Sequence, residues 1–420
     1  MDHADLTKAR QALSIWQEYL AQLSHLWGES TTSMVRWDYR TNEWIGAEAH
    51  HTRRVLGAPG VIKGLLDRAR RPKHTLRTMA STVARPTRLW DQLFSPNLSS
   101  FVEIPFALPN DVVIKKSLSG KRFIAASKRS GLVVKLSRRT EEMDRELSAM
   151  RLAVEAGIGA HVPQVLDSGF FESGVWWVAT ELAPNTDPVT STFNLNTAGG
   201  QEWQWWLQMQ ILPAMARFYS ASGVEVQSLD ERIEECEQLM RACGTSKPLQ
   251  DLLECIQNAA LQAHGNEILV AKLHQDLHPT HVHRSPDQWK IIDWGDSRRG
   301  DVLVEPFTDL FRQPVIAGRA SPLFKWLSGE LGHENLPSSY REYIDSVLSW
   351  QHDWRGVPCD VQLLRAILLI YLFESIIHKV EGSSSLRQVM DGNCSPEILE
   401  GEKNYIRLVI AQLKSLDMLY

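Results

Sequence analysis

The chain has 420 residues, more than one ordinary domain, so two or three packed units are expected. Apolar residues make up 43% of it, which is enough for a sizeable core and excludes a disordered or collagen-like protein. The 45 basic and 50 acidic residues give a formal net charge of -5, too small to indicate a nucleic-acid partner or a strongly acidic one.

Targeting signals are not evident in the sequence. The first residues include Asp2, Asp5 and Glu18, which fit neither a signal peptide nor a transit peptide. The longest strongly apolar run, residues 366–373, is shorter than the about 20 residues that cross a bilayer, so a buried core helix is expected there. The 5 cysteines include no C-x-x-C pair, which disfavours a disulfide framework or a structural zinc site. The sequence therefore predicts a cytoplasmic protein with reduced thiols and no transmembrane segment.

Residues 1–100 are predicted to form a mainly helical extension that begins with an amphipathic stretch over Leu6–Trp27. Between Arg53 and Arg88 the chain carries ten lysines or arginines and a single acid, Asp67. This basic segment, residues 53–88, fits two interpretations. It is either a solvated helical face or a docking surface for a membrane or another anionic partner, such as a glycan or a protein.

Residues 101–182 show a different pattern, with short strand-like runs separated by glycine and serine turn signals. A helix is predicted from Thr140 to Gly157, between the third and fourth of these runs. Three strands, a helix and two strands indicate an antiparallel sheet that carries one helix. The predicted strands are Val112–Lys116, Arg122–Ala126, Leu132–Leu136, Val165–Ser168 and Trp176–Glu181.

Residues 183–420 are dominated by helical patterns, with one short strand-rich interruption over residues 268–292. That interruption contains the polar residues that are most unusual for their surroundings. The predicted helices cover residues 201–222, 229–243, 247–263, 337–354, 360–380 and 395–417.

The interruption reads as a loop, a strand, a tight turn, a strand and a second loop. It places Asp276 at the end of the first loop and Asp293 after the second strand, so a hairpin would bring the two carboxylates close together. Phosphoryl transfer needs such a pair, one carboxylate to orient the attacking hydroxyl and another to hold a metal ion on the phosphates. A metal-only site is also conceivable because four histidines lie within ten positions, but their spacings do not match common zinc patterns.

This segment resembles aminoglycoside phosphotransferases, choline kinases and related small-molecule kinases, which carry an H-G-D-x-H-x-x-N loop followed by an apolar strand that ends in Asp. The resemblance implies an α+β, bilobal protein-kinase-like fold with an antiparallel-sheet N-lobe and a mainly helical C-lobe. It also implies that Asp276 is the catalytic base, that Asp293 is the principal metal ligand and that His274 braces the loop.

The upstream sequence extends the resemblance through nearly 200 residues. Val133–Leu136 is similar to the strand whose lysine contacts the α- and β-phosphates, here Lys135. Arg145–Met150 is similar to the helix whose glutamate, here Glu146, pairs with that lysine. Such an ion pair would hold the long lysine side chain against the phosphates.

Two further positions are implied by their place in this resemblance. The link between the lobes falls at Glu181 and Ala183, whose backbone groups would face the nucleotide base. Ser119 and Gly120 lie where a phosphate-covering turn belongs. The nucleotide, ATP or GTP with Mg²⁺ or Mn²⁺, is expected between the lobes.

Position 281 departs from the family pattern because His281 stands where most of these kinases carry Asn, the second metal ligand. Mg²⁺ prefers oxygen ligands, so an imidazole changes the expected metal chemistry. Lipopolysaccharide-core sugar kinases resemble this chain at that point, with His five residues after the catalytic Asp. His281 is thus either a tolerated or Mn²⁺-favouring ligand, or a sign of altered activity.

The sequence therefore predicts three regions, a helical extension over 1–100, an N-lobe over 101–182 and a C-lobe over 183–420. The predicted activity is transfer of a nucleotide γ-phosphate to a hydroxyl of a small molecule, with a sugar or a glycolipid or polysaccharide precursor as one acceptor class. The alternative is a catalytically silent, kinase-like nucleotide-binding scaffold. A zinc-dependent hydrolase is disfavoured because it leaves Lys135 and Glu146 unexplained.

Overall fold

The computed structural model describes residues 13, 16–27, 32–38, 43–46, 101–108, 111–116, 122–183, 195, 197–244, 246–285, 287–316, 318–381, 388, 390 and 404–418. The chain divides into two compact units. The first unit comprises Met1–Met143 and Gln164–Leu182, and the second comprises Asp144–Pro163 and Ala183–Tyr420.

Strands and helices occur in both units, with the strands concentrated in the first. The strands are β1 (Thr32–Asp38), β2 (Glu43–Gly46), β3 (Phe101–Leu108), β4 (Val113–Lys116), β5 (Arg122–Ser127), β6 (Leu132–Ser137), β7 (Val165–Phe170), β8 (Trp176–Glu181), β9 (Glu225–Ser228), β10 (Glu267–Leu273), β11 (Val282–Arg284), β12 (Trp289–Ile291), β13 (Arg298–Asp301), β14 (Val315–Ile316) and β15 (Arg319–Ala320). The helices are α1 (Thr140–Glu155), α2 (Ala198–Trp206), α3 (Leu212–Ala221), α4 (Leu229–Cys243), α5 (Lys247–Gln262), α6 (Pro322–Ser328), α7 (Ser338–Arg355), α8 (Val361–Glu381) and α9 (Asn404–Ser415).

The first unit is built on an eight-stranded sheet in the order β3-β1-β2-β4-β5-β6-β8-β7, in which every neighbouring pair is antiparallel. Side chains alternate between the two faces of a strand. On β6, Val134 and Leu136 are therefore fully buried while Lys135 between them is half-buried. The predicted fold class, an antiparallel sheet followed by a mainly helical part, is confirmed.

The N-terminal segment contributes to the core of the first unit. Trp16 stacks on Phe123 of β5 with ring centroids 5.7 Å apart, and Leu20 is fully buried in the same cluster. The prediction of a mainly helical segment over residues 1–100 is wrong for residues 32–38 and 43–46, where β1 and β2 join the sheet. Strand pairing there overrides the local sequence pattern. The basic segment 53–88 lies outside the described residues, so its two interpretations stay open.

The second unit is mainly helical and contains a small antiparallel sheet in the order β13-β10-β9. Helix α8 includes a stretch, Val361–Val380, that is long and apolar enough to cross a membrane. Most of this stretch is buried within the protein, as its prediction as a core helix requires.

A buried ion-pair network connects α4, β13 and α8. The guanidinium of Arg232 on α4 lies 3.4 Å from Asp301 Oδ2 and 2.7 Å from Glu374 Oε1. Burial raises the pKa of Asp301 to about 6, although the Arg232 charge opposes that shift. Removing one member would leave a buried charge without its counter-charge. The network therefore holds α8 against β13.

Candidate active site

The loop that follows β10 and the residue that follows β12 lie together, as the sequence predicted. Strands β11 and β12 form an antiparallel hairpin with Val282 opposite Ile291. The Ile292 amide donates to the His281 carbonyl over 2.9 Å, which extends the pairing to the base of the hairpin. Asp276 precedes this hairpin and Asp293 follows it. Because the two ends of a short hairpin are adjacent, the two residues lie close together.

Glu305 holds the start of the catalytic loop. Its carboxylate accepts the backbone amides of His274 and Gln275, each over 2.7 Å, and the Tyr219 hydroxyl over 3.3 Å. Burial raises the pKa of Glu305 to about 7, despite the hydrogen bonds, which lower it. Sequence reasoning missed Glu305. The sequence feature that could have revealed it is a single acidic residue inside the apolar run Val302–Phe307. A carboxylate buried in such a run needs hydrogen-bond donors from elsewhere in the fold.

Gln275 has a left-handed backbone with φ of 69°. The family pattern usually places Gly at this position, and glycine adopts positive φ without steric cost. The Gln275 side chain lies over Gly300, where a β-carbon would come within 2.5 Å of Gln275 Nε2. A glycine at 300 therefore makes room for a glutamine at 275.

His274 bonds to the residues before Asp293 and at Asp276, and its bracing role stays a prediction. Its Nε2 atom donates to the Ile292 carbonyl over 2.9 Å, and its Nδ1 atom accepts the Asp276 amide over 3.3 Å. Burial lowers the pKa of His274 to about 4, with the nearby His281 adding to the effect. A neutral ring with the proton on Nε2 satisfies both contacts. His274 therefore links the loop after β10 to the residue that precedes Asp293.

The Asp276 carboxylate is surrounded by three basic side chains. Arg312 forms an ion pair with Asp276 Oδ1, while His281 Nδ1 and His278 Nε2 lie 3.4 Å and 3.8 Å from Oδ2. Burial alone would raise the pKa of Asp276, but the contacts with His278 and His281 and the positive charge of Arg312 outweigh it. The pKa of Asp276 therefore lies well below its usual range, and the group is ionised at neutral pH.

Arg312 was not identified from the sequence. It ends a short 3₁₀ turn, Leu310–Arg312, and lies 36 residues after the aspartate that it contacts. No local spacing relates the two positions, so only the fold reveals their contact.

His281 presents one ring nitrogen to Asp293. Its Nδ1 atom donates to the Asp276 carbonyl oxygen over 2.8 Å, and its Nε2 atom lies 3.6 Å from Asp293 Oδ2. Burial is the largest influence on His281 and lowers its pKa, so the ring is neutral and the lone pair lies on Nε2. One neutral nitrogen and one carboxylate oxygen fit a shared divalent cation, and imidazole favours transition metals over Mg²⁺.

A second ligand set shares His281. Ligand atoms of Asp276, His278 and His281 all lie within 4.8 Å of one another. The His281 nitrogen that faces this carboxylate is Nδ1, however, which already donates to the Asp276 carbonyl, and Asp276 is already paired with Arg312. The Asp293–His281 pair is therefore the better place for a cation.

Asp293 has a left-handed backbone, with φ of 63°, immediately before the 3₁₀ turn Trp294–Asp296. Trp294 anchors this turn, since it is fully buried and its Nε1 atom donates to the Ile291 carbonyl over 2.9 Å. Arg145 adds a contact of 3.2 Å to the Gly295 carbonyl. Strained backbone of this kind persists where surrounding structure holds it, often at functional sites.

The predicted nucleotide-binding residues fall in different parts of the chain. Lys135 lies on β6 of the first unit, and Glu146 is buried on α1 in the second unit. The ion pair between them stays a prediction. Ser119 and Gly120 lie outside the described residues.

At the link between the lobes, Glu181 ends β8 and Ala183 begins the second unit. The Glu181 amide donates to the Gln164 carbonyl over 2.9 Å. Contact of Glu181 and Ala183 with a nucleotide base stays a prediction.

Comparison with known proteins gives one family match. Residues 113–308 match the family described as "Phosphotransferase enzyme family", a span that includes Lys135, Asp276 and Asp293. No curated protein sequence matches the chain significantly.

Solved structures of low sequence identity also align with the chain. A thermostable mutant of the aminoglycoside phosphotransferase APH(4)-Ia, without ligand, is 14% identical and covers 70% of this chain and 97% of its own, with a TM-score of 0.42. A choline/ethanolamine kinase family protein from Mesorhizobium loti is 13% identical, covers 73% and 92%, and has a TM-score of 0.36. The macrolide 2'-phosphotransferase MphH from Brachybacterium faecium is 17% identical, covers 66% and 88%, and has a TM-score of 0.37.

At these identities and TM-scores, a solved structure establishes no shared substrate. The family match rests on the sequence itself and spans β6, the loop that follows β10 and the β11–β12 hairpin. The match of residues 113–308 to the model of the phosphotransferase enzyme family confirms the resemblance and the enzyme class predicted from the sequence.

Proposed function

We propose that the protein transfers the γ-phosphate of ATP or GTP to a hydroxyl of a small molecule. One observation carries this proposal. At the base of the β11–β12 hairpin, an ionised Asp276 lies beside two atoms that can bind a divalent cation, His281 Nε2 and Asp293 Oδ2. Phosphoryl transfer requires a carboxylate at the acceptor and ligands for a metal ion at the phosphates.

Asp293 and His281 would hold the divalent cation, which supplies positive charge to the phosphate oxygens during transfer. With one nitrogen and one oxygen donor, the pair suits Mn²⁺ as well as Mg²⁺. The His281 hydrogen bond to the Asp276 carbonyl keeps Nε2 aimed at Asp293, so the metal pair and the catalytic loop are oriented by one side chain.

Asp276 would orient the acceptor hydroxyl. Its low pKa makes the carboxylate a weak base, so positioning contributes more than early proton removal. In the proposed step the hydroxyl oxygen bonds to the γ-phosphorus while the bond from that phosphorus to the bridging β–γ oxygen breaks. The nucleoside diphosphate leaves, and the hydroxyl proton passes to the Asp276 carboxylate.

The nucleotide contacts are proposed from the family pattern. Lys135 would neutralise the α- and β-phosphates, with Glu146 as its partner, and Ser119 and Gly120 would cover the phosphates. The Glu181 carbonyl and the Ala183 amide would contact the base.

The acceptor class includes a sugar or a glycolipid or polysaccharide precursor, which His281 favours through the resemblance to lipopolysaccharide-core sugar kinases. The second candidate function is the silent nucleotide-binding scaffold. One observation favours it, since Arg312 occupies the carboxylate that should contact the acceptor.

A thermal-shift titration with ATP or GTP, with Mg²⁺, Mn²⁺ or neither, tests the proposal on the wild type and Asp293→Ala. Ligand that binds only the folded state raises its apparent stability. We expect a metal-dependent shift that Asp293→Ala loses and that the control Asp287→Ala, on the exposed hairpin turn, retains. Metal-independent binding without hydrolysis would support the scaffold instead, and no shift with any nucleotide would refute both.

A further inference from the structure

Arg312 contacts the Asp276 carboxylate, and two further cationic side chains lie on elements next to the same loop. The phosphoryl-transfer step described above uses none of the three. Arg312 forms the ion pair with Asp276. Arg298 begins β13, and Lys379 lies in the last turn of α8. Arg298, Arg312 and Lys379 are called the cationic cluster below.

The first structural link places Arg298 beside the catalytic loop. In the antiparallel pairing of β10 with β13, Arg298 lies opposite Leu273, the residue before His274. Arg298 is exposed, so its guanidinium is accessible to a ligand at this end of the sheet.

The second structural link is between one face of α8 and the residue next to Arg312. Tyr371, Ser375 and Lys379 are spaced by four residues and so share a helix face. The Tyr371 ring lies 5.2 Å from that of Phe311, which adjoins Arg312. Lys379 Nζ donates to Ser375 Oγ over 2.9 Å, so the ammonium lies along this face. The Arg232 network holds α8 against β13.

Arg312 is the one member of the cluster that pairs with a carboxylate of the described residues. Among the described residues, neither Arg298 nor Lys379 forms an ion pair with a carboxylate. Burial, together with the charges of Arg298 and Arg312, lowers the pKa of Lys379 to about 8, while Asp276 and Asp296 oppose the shift. Cations that repel one another at a partly buried position are stabilised by an anion.

We propose that the acceptor carries an anionic group, a carboxylate or a phosphate, near the hydroxyl that receives the phosphate, and that the cationic cluster binds this group. Guanidinium groups bind such anions through two parallel hydrogen bonds. When the acceptor binds, Arg312 can exchange its ion pair with Asp276 for one with the acceptor, which frees Asp276 to contact the hydroxyl. An acceptor with ammonium groups would instead be repelled.

This inference rests on the proposed function, so its experiment separates the two. Four compounds that share one sugar ring and differ in charge serve as probes, namely glucosamine, glucose, glucuronate and glucose 6-phosphate. Release of the nucleoside diphosphate and the thermal shift are measured for each in the presence of nucleotide and metal. We expect glucuronate or glucose 6-phosphate to give the largest response, and glucosamine the smallest. A largest response to glucosamine, or the same response to all four, would overturn the inference.

Variants then assign the response to the cluster. Lys379→Met keeps a long side chain without charge, and Arg298→Gln removes an exposed charge. Each should raise the KM for the anionic probe about tenfold or more, the loss of one charge-assisted contact, while the KM for ATP stays unchanged. Lys414→Met, at an exposed position on α9, is the matched control and should change neither value.

A rise in the KM for ATP alone would show that the cluster binds nucleotide phosphates, which contradicts the inference. Thermal midpoints of the unliganded variants show whether each one folds. Failure of the wild type to bind nucleotide would refute the proposed function itself. Nucleotide binding and hydrolysis combined with a preference for glucosamine would refute only the anionic acceptor.

Discussion

His281 Nε2 lies 3.6 Å from Asp293 Oδ2, while the opposite nitrogen of the same ring donates to the Asp276 carbonyl. One imidazole thus relates the candidate metal ligand to the candidate catalytic loop. A substitution at position 281 should therefore alter metal preference before it alters nucleotide binding.

We expect His281→Asn to shift the metal preference toward Mg²⁺, because an amide oxygen replaces the ring nitrogen. The ratio of kcat with Mn²⁺ to kcat with Mg²⁺ should fall, and nucleotide affinity should change little. Steady-state assays with each metal measure the ratio, with His333→Asn, outside the site, as the control. An unchanged ratio would remove His281 from the metal site.

Replacing Asp276 by Asn keeps its shape but removes its charge. We expect kcat to fall by about 10²–10⁴-fold, the range for a catalytic carboxylate, because the hydroxyl loses its orienting acceptor. Nucleotide binding in a thermal-shift titration should persist, since the proposed phosphate contacts do not involve Asp276. Full activity in this variant would exclude Asp276 from the role.

Gly300→Ala should disturb the catalytic loop, since the new β-carbon would lie 2.5 Å from Gln275 Nε2 and 3.2 Å from Leu273 Cδ1. We expect lower kcat and a lower melting temperature. Adding Gln275→Gly should restore both, because it removes the clashing side chain and suits the positive φ at that position. A double variant as impaired as Gly300→Ala would show that the clash lies elsewhere.

Asp309 supplies a prediction about pH. It is buried, and burial raises its pKa to about 7, with the Arg312 charge opposing that rise and Asp276 adding to it. Since the folded pKa lies above the unfolded value of 3.8, the protonated group favours folding, and this contribution is lost as pH rises through about 7.

Asp309→Asn should therefore be more stable than the wild type at pH 8, by about 1–3 kcal/mol, the cost of a buried polar group without its partner. Near pH 4 the two proteins should differ little, because the wild-type group is then largely neutral. Urea denaturation at both pH values measures the difference. If the two proteins differed by the same free energy of unfolding at pH 4 and pH 8, the raised pKa of Asp309 would be contradicted.

Trp16 tests whether the N-terminal segment belongs to the core of the first unit. Trp16→Ala removes the ring that stacks on Phe123, and we expect a loss of about 3–5 kcal/mol in the free energy of unfolding. Trp205, which is 54% exposed, provides the matched control Trp205→Ala with a small effect. Equal effects of the two substitutions would place Trp16 outside the core.

The sequence predicted those parts of the site that depend on local spacing. Asp276, His281 and Asp293 belong to one loop and hairpin, so the number of intervening residues alone brings them together. Glu305 and Arg312 could not be predicted this way, because their contacts join residues about 30 or more positions apart.

Strands β1 and β2 were not predicted for a related reason. β1 pairs with β3, more than 60 residues later in the chain, so its conformation depends on a partner that no local window contains. The antiparallel sheet around β5 and β6, whose strands follow one another closely, was predicted correctly.

The Glu305 contacts also bear on how this enzyme can be recombined. A chimaera that exchanges only the eight residues from His274 to His281 with a related kinase would separate the loop from the carboxylate that holds its first two amides. The transplantable block runs from β10 to Arg312. This block contains the loop, the hairpin and the two side chains that contact the loop from later in the chain, Glu305 and Arg312. Crossover points of a chimaera should therefore lie outside it.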